Sequence, residues 1–490
     1  MIILVNSKIS QNNIVESLGK PEYSYFFLLR EFLPALEQIG TLIQIKSLDE
    51  VDTLYDQYTA AGEDVIFLSV SPPQQTPVHL RCPTVCLFAW EFNKIPDTPW
   101  EKEPRNDWKY VFERIAGAIA CSEESAQAVR EVMGEDYPII ALPAPVFSRF
   151  KDLKPEAGWL PQNERTFEFT GFVYDSPLIG LSADGLVQHM ERPQPYAVRT
   201  SYDEAQNDIQ SVGKLRTTWR LFKEWRAELK KLKATPTFTA STTEPITEIT
   251  KEAESYNEHY QLSIKGTVYT TIVNPADHRK NWCFIISSFC WAFRDNPNAT
   301  LIVKATHHSL NFYRIELLTV LSRLAPFQCR VIVLHGFLED EQYRNLIRIT
   351  DYYVNGSACE GLCLPIMEYL SSGKPAIAPK HTAMLDYLNP QSSFIINSYP
   401  EPSPWPHDPT GTFASRRFRI DWHSMHQHFK ASYEIAQTQP ETYQTMSQEA
   451  WLSMYKFCRL DKVTTDLKCF LKSSILKEST STPAEIGASA

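Results

Sequence analysis

The chain has 490 residues, enough for two or three domains with sizeable cores. Its 43% apolar and 22% charged residues suit an ordinary globular protein and exclude intrinsic disorder, a collagen-like chain and a small disulfide scaffold. The net charge of −10 argues against a general nucleic-acid binder, and 17 glycines are about half the usual ~7% share, so any phosphate site must be built with few of them.

Residues 1–5 are apolar without a basic flank and read as a first buried strand rather than a signal peptide. A helix follows at 23–39, then buried strands at 64–69, 84–89 and 115–122, a helix at 123–133 and a strand at 138–142. Buried strands alternating with helices predict a parallel sheet covered on both faces, and this first Rossmann-like domain spans 1–150. Residues 151–262 mix charge, proline and threonine with little period and read as an insertion. Within it, 214–234 carries eight Lys/Arg against two Glu, with Leu215, Trp219, Phe222, Trp225, Leu229 and Leu232 on one helical face. Such a helix lies on an anionic membrane surface, packs its apolar face on the protein, or binds a partner; the three readings stay open here.

A second series begins with a strand at 264–274. It continues through a helix at 281–294, a strand at 300–304, a helix at 313–324, a strand at 330–334 and a helix at 339–349. A strand at 351–355, a helix at 364–372 and a strand at 376–378 complete a second Rossmann-like domain over 263–430. Residues 431–472 read as helical, and 473–490 as a disordered tail. The ten cysteines form no C-x-x-C pair and lie mostly in apolar runs, which fits reduced, buried thiols of a cytoplasmic protein. No stretch approaches the ~18 apolar residues of a membrane-spanning helix.

The informative segment is 355–378, NGSACEGLCLPIMEYLSSGKPAIA. A strand ends at Asn355, a loop runs to Cys363, Pro365 fits the first turn of a helix and Gly373 its stop. Ligands of open parallel sheets bind outside the carboxyl ends of the strands, where a helix N-terminus offers free N–H groups and a positive dipole end. The Gly361-Leu362 backbone is therefore a phosphate candidate. Glu368, one turn in, would repel an anion but suits a neutral diol such as a ribose. Glu360 lies on the loop, near where a sugar beyond the phosphate would sit.

Glu360-Gly-Leu-Cys-Leu-Pro-Ile-Met-Glu368, followed by Gly373-Lys-Pro, resembles the E-x7-E signature of retaining GT-B glycosyltransferases of glycosyltransferase family 4. Four further segments resemble the same family: Phe88-Ala-Trp-Glu91 with Pro96 and Trp100; Ile119-Ala-Cys-Ser122; Lys280-Asn-Trp282; and Val333-Leu-His-Gly-Phe337. The likeness covers about 1–150 and 263–430. It implies an α/β GT-B fold, two Rossmann-like domains facing a cleft, the first for an acceptor and the second for a nucleotide-sugar donor.

By that resemblance, Lys280 and Arg279 neutralise the donor diphosphate, Glu360 contacts the donor sugar, and Glu368 holds the ribose hydroxyls. Gly361 and Leu362 give N–H groups to the phosphates. Asn274, His335, Gly336 and Phe337 are further donor-side positions, and Trp90 and Glu91 face the acceptor. The implied activity is metal-independent hexosyl transfer with retention, to a glycan, lipid-linked glycan or small acceptor, with no cofactor, metal or nucleic acid. Residues 214–234 would touch an anionic membrane surface, making the protein cytoplasmic and peripheral. A non-catalytic GT-B-like subunit that binds a partner glycosyltransferase or glycan, and a nucleotide-sugar epimerase, are the alternatives. The chain departs from the family pattern at Asn274, where an arginine is common, at Cys363 in place of a second glycine, at Trp90-Glu91 in place of a histidine, and in the loop after the first strand, which keeps only Gly19. No D-x-D string points to a metal-dependent GT-A site, His423, His426 and His428 lack zinc spacing, and no G-x-S-x-G or Walker string occurs. His307-His308 follow a strand and could line the cleft.

Overall fold

The computed structural model describes residues 1–6, 21–99, 102–156, 164–181, 258–404 and 414–476, with 222, 223 and 226 besides. Gly19, Trp100, most of 214–234 and residues 477–490 lie outside the described residues. One compact unit comprises 1–183 and 258–490; residues 184–257 form a second unit.

The first half contains strands β1 (Ile2–Asn6), β2 (Thr41–Gln44), β3 (Val65–Val70), β4 (Thr84–Phe88), β5 (Gly117–Ala120) and β6 (Ile139–Ala141). All pair in parallel, in the order β2-β1-β3-β4-β5-β6. Val65–Leu68 and Thr84–Phe88 are buried throughout, as continuous apolar runs covered on both faces should be. β2 has only half-exposed and exposed residues, which is why no apolar run announces it.

The second half contains β7 (Arg165–Asp175), β8 (Glu258–Ile264), β9 (Thr267–Val273), β10 (Ala299–Ala305), β11 (Arg330–His335), β12 (Tyr352–Val354), β13 (Ala376–Pro379) and β14 (Ser393–Ile396). Their order is β14-β13-β12-β9-β10-β11-β7-β8. Renumbered from β9, its six parallel strands follow the 3-2-1-4-5-6 order of nucleotide-binding Rossmann sheets. The order reverses between β9 and β12, so the ligand crevice of this sheet falls at the carboxyl ends of those two strands. The α/β class with two Rossmann-like parallel sheets is the one expected from the sequence.

β7 and most of β8 lie inside the segment read as an insertion, yet they form the antiparallel edge of the second sheet. Phe167 and Phe169 point into its core while Glu168 and Thr170 face out, the alternation of a half-covered antiparallel strand. A hairpin of β15 (Ser398–Pro404) and β16 (Ala414–Ile420) follows β14 and reaches back to the first half. There Arg416 donates its N–H to Asn93 Oδ1 at 2.8 Å and pairs with Glu124 at 2.9 Å.

Three helices, Trp422–Thr438, Pro440–Cys458 and Leu460–Phe470, close the chain. The last packs on the helix Pro21–Ile39 of the first half. One apolar cluster therefore runs from Ile3 and Val5, through Ile366, Met367 and Leu370, to Met454 and Leu467. Burying each such side chain contributes roughly 1.5–3 kcal/mol, so this cluster ties the two sheets together. Ile475 continues the terminal helix and is buried beside Gly117, inside the segment read as a tail. Eight of the ten cysteines are buried, and all ten are free thiols.

Candidate active site

Two loops meet at the β9–β12 crossover. After β9, Asn274 Oδ1 accepts the Ala276 N–H at 3.1 Å, and Asp277 Oδ1 accepts the Arg279 N–H at 3.3 Å. These turns fix a short 3-10 helix, His278–Lys280, before the helix Trp282–Ala292. Asn274 thus builds the turn. After β12, Asn355 Oδ1 accepts the Ser357 N–H at 2.8 Å, and the loop runs to the helix Leu364–Ser371, which has Pro365 in its first turn. Gly373, at φ 66°, ends it as a C′ glycine should. Cys363 adopts φ 62°, the left-handed conformation that favours glycine, and its Sγ lies 3.3 Å from Asn355 Nδ2.

The loops bring Arg279, Lys280 and Glu360 together. Lys280 Nζ donates to Glu360 Oε1 at 2.5 Å, and Arg279 Nη1 to Glu360 Oε2 at 3.0 Å. Asn355 Nδ2 adds a 3.3 Å bond to Oε1, and the Glu360 N–H donates to Thr382 Oγ1 at 3.0 Å. Glu360 is 3% exposed. Burial alone would raise its pKa, but the Lys280 and Arg279 charges outweigh it and hold the carboxyl well below its ordinary range. Arg279 also pairs through Nε with Asp277 at 2.9 Å and with Glu91, from the first half, at 3.5 Å. Burial would depress the guanidinium pKa; Glu360, Glu91 and Asp277 reverse that and raise it.

Gly361 lies against the Trp90 backbone: an added Cβ would come within 2.8 Å of Trp90 N. Backbone cannot yield as a side chain tip can. Gly361→Ala is expected to destabilise the protein by about 1–3 kcal/mol and to separate Trp90-Glu91 from the Glu360 loop. Thermal unfolding measures the first effect. The Trp90 indole is packed with Phe92 and Trp108, its Nε1 donating to Lys94 O at 2.8 Å, so Trp90 meets the site through its backbone. Leu362 is buried, and its carbonyl accepts from the Tyr387 hydroxyl at 2.9 Å.

Glu368 stands apart from the Glu360 cluster. It accepts from the Tyr343 hydroxyl and lies in the field of Glu31, Arg30 and Arg149. Those residues form a web across the two halves: Arg149 pairs with Glu31 and, at 2.8 Å, with Asp340, while Arg30 pairs with Asp340 at 3.0 Å. Burial, then the Glu31 charge, pushes the Glu368 pKa up to about 7. The folded state then binds more protons than the unfolded chain between about pH 4.3 and 7, so this group's contribution to stability falls as pH rises through that window. Glu368→Gln is expected to flatten that fall and to raise the melting temperature at pH 8. Melting curves from pH 5 to 8 check both.

His335 ends β11, two strands from β9 or about 10 Å across the sheet. Its Nδ1 lies 2.9 Å from the Tyr313 hydroxyl, and burial, before the nearby Lys304 and imidazoles, pushes its pKa down to about 4. Gly336 and half-buried Phe337 follow at the same edge. Among the described residues no group of three His, Cys, Asp or Glu is arranged to hold a metal, and no helix is long and apolar enough to cross a membrane. Sequence reading missed Asp277, Asn355 and Thr382, although Asn355 lies inside the quoted string and Asp277 immediately precedes a helix start. Glu31 and Arg149 are 118 positions apart and carry no local signal.

No protein-family model matches the chain, and no curated protein matches it in sequence. Solved structures resemble it at low identity. HepE of Anabaena, in complex with UDP and glucose, has 12% identity over 96% of this chain and 100% of its own, with a TM-score of 0.49. A glycosyltransferase from Rickettsia africae has 12% identity over 98% and 99%, with a TM-score of 0.49. Sucrose-phosphate synthase of Thermosynechococcus elongatus has 11% identity over 98% and 100%, with a TM-score of 0.48. The two Rossmann-like sheets themselves are read from the chain's own strand order.

Proposed function

We propose that this chain is a retaining, metal-independent glycosyltransferase that moves a hexosyl group from a nucleotide diphosphosugar to a glycan, lipid-linked glycan or small acceptor. The observation that carries the reading is the buried Glu360 carboxylate, held ionised by Lys280 and Arg279 at the switch point of a nucleotide-binding sheet order. As the glycosidic bond to phosphate breaks, positive charge develops on the sugar and negative charge on the leaving diphosphate. A fixed carboxylate beside fixed cations complements both charges without reorganising, which is the strongest kind of electrostatic catalysis. Both Glu360 oxygens are engaged by donors, so the carboxylate acts as an electrostatic stabiliser and not as a covalent nucleophile. The attacking hydroxyl enters on the leaving-group face, with the departing phosphate taking its proton.

In this reading the Gly361 and Leu362 N–H groups hold the phosphates, Glu368 takes the ribose hydroxyls, and His335, Gly336 and Phe337 flank the base. Glu91 stands on the acceptor side. The basic segment 214–234 rests on an anionic membrane surface; equal liposome flotation with and without it would end that part. Proton NMR of products from UDP-, GDP- and ADP-sugar donors tests the stereochemistry, and an inverted anomeric centre contradicts retention. The engagement of Arg279 by three carboxylates supports one other reading, a non-catalytic subunit of this fold. Failure of UDP and GDP to raise the melting temperature would favour it.

A further inference from the structure

The Glu360 cluster holds two cations, Arg279 and Lys280, against three carboxylates, Glu360, Glu91 and Asp277. It has no positive charge in excess, and a diphosphate adds more negative charge. One strand away stands a cation in a different state. Lys304 of β10 is 4% exposed and shares its face with Ile302. Its Nζ donates to the carbonyl of Ala305, the last residue of β10, at 2.9 Å, so the ammonium lies at the carboxyl rim of the sheet. No carboxylate pairs with it among the described residues.

A buried ammonium without a counter-charge is destabilising, and nothing in the packing of β10 requires one. Burial pushes its pKa down to about 7, with no opposing charge. The neighbouring imidazoles supply no counter-charge either. His335 ends the next strand, and His307 stacks on His308 at 4.3 Å and on Phe312 at 4.7 Å. β10 also adjoins β9, with Lys304 in register with Ile272 and the Thr306 N–H donating to Val273 O at 2.7 Å. The ends of the two strands are therefore about 4.8 Å apart, within the reach of one lysine side chain.

We propose that Lys304 binds the phosphoryl groups of the nucleotide donor at the carboxyl rim of β9 and β10, supplying the positive charge that Arg279 and Lys280 direct at carboxylates. The proposal rests on the donor site at the β9–β12 switch point. It predicts that the lysine is retained for the ligand and not for the fold. Lys304→Met, which keeps the stem and removes the charge, should leave the melting temperature equal or higher.

Calorimetric titration of wild type, Lys304→Met and Lys304→Arg with UDP, GDP, uridine and guanosine tests it. Diphosphate affinity should fall at least tenfold in Lys304→Met and recover most of that in Lys304→Arg, while nucleoside affinity changes less than twofold. A second measurement needs no variant. At pH 7.5, UDP binding to wild type in buffers of differing ionisation enthalpy should take up about three quarters of a proton, because the bound anion restores the charge on Lys304. His307, His308 and His335 face the same rim, so the uptake should shrink in Lys304→Met if the lysine is its source. Unchanged diphosphate affinity in Lys304→Met, or absence of proton uptake, overturns the assignment. If wild type binds neither diphosphate, the donor-site reading falls with it.

Discussion

Glu360→Gln is expected to destabilise the protein by about 3 kcal/mol, because removing one partner of a buried ion pair leaves the others uncompensated. Lys280 would keep a charge facing a neutral amide, and Arg279 would retain Asp277, Glu91 and the Cys359 carbonyl. The pH dependence identifies the cause. The Glu360 pKa is depressed in the folded protein, so its stabilisation is complete above the ordinary carboxylate range near ~4.3 and declines as pH falls below it. The variant should therefore differ most from wild type at neutral pH and converge with it in acid. Glu368 has the opposite sign and acts between about pH 4.3 and 7, so the two carboxylates are separable in one set of melting curves. A Glu360→Gln loss that stayed constant down to pH 2 would mean that the amide disrupts packing rather than charge.

Lys280→Ala is expected to lower donor turnover by about 10²–10³, the usual loss when one preorganised stabiliser of developing charge is removed. The fall should appear mainly in kcat, since leaving-group charge grows in the transition state. The effect on stability should be smaller than for Glu360→Gln, because Lys280 is half-buried and its loss leaves Glu360 with Arg279 and Asn355. Steady-state release of nucleoside diphosphate measures the change. A rise in KM at constant kcat would assign Lys280 to ground-state binding instead.

The alternation of strands and helices was legible because buried parallel strands read as unbroken apolar runs, as in Val65–Leu68 and Val331–Leu334. The edge strands β7 and β8 were not. They are short of unbroken apolar runs, mixing polar residues with Phe and Tyr, and they pair across a long intervening segment, so they read as part of an insertion. The proline-rich strand Ser398–Pro404 carried no strand signal either. At the site, Glu360, Gly361 and Arg279-Lys280 were legible one segment at a time. Their ion pairing depends on β9 lying beside β12, which no local pattern encodes. The Gly361–Trp90 approach and the Glu31–Arg149 contact likewise join residues distant in sequence. Cys363 shows the limit of motif reading: a non-glycine side chain occupies the left-handed position where a glycine would be expected.

The most direct measurement is the release of nucleoside diphosphate from UDP-, GDP- and ADP-sugars by wild type, Glu360→Gln and Lys280→Ala. The account predicts that wild type turns over at least one donor and that both variants are slower by two orders of magnitude or more. Turnover by the variants at the wild-type rate, or no turnover and no nucleotide binding by the wild type, would contradict it.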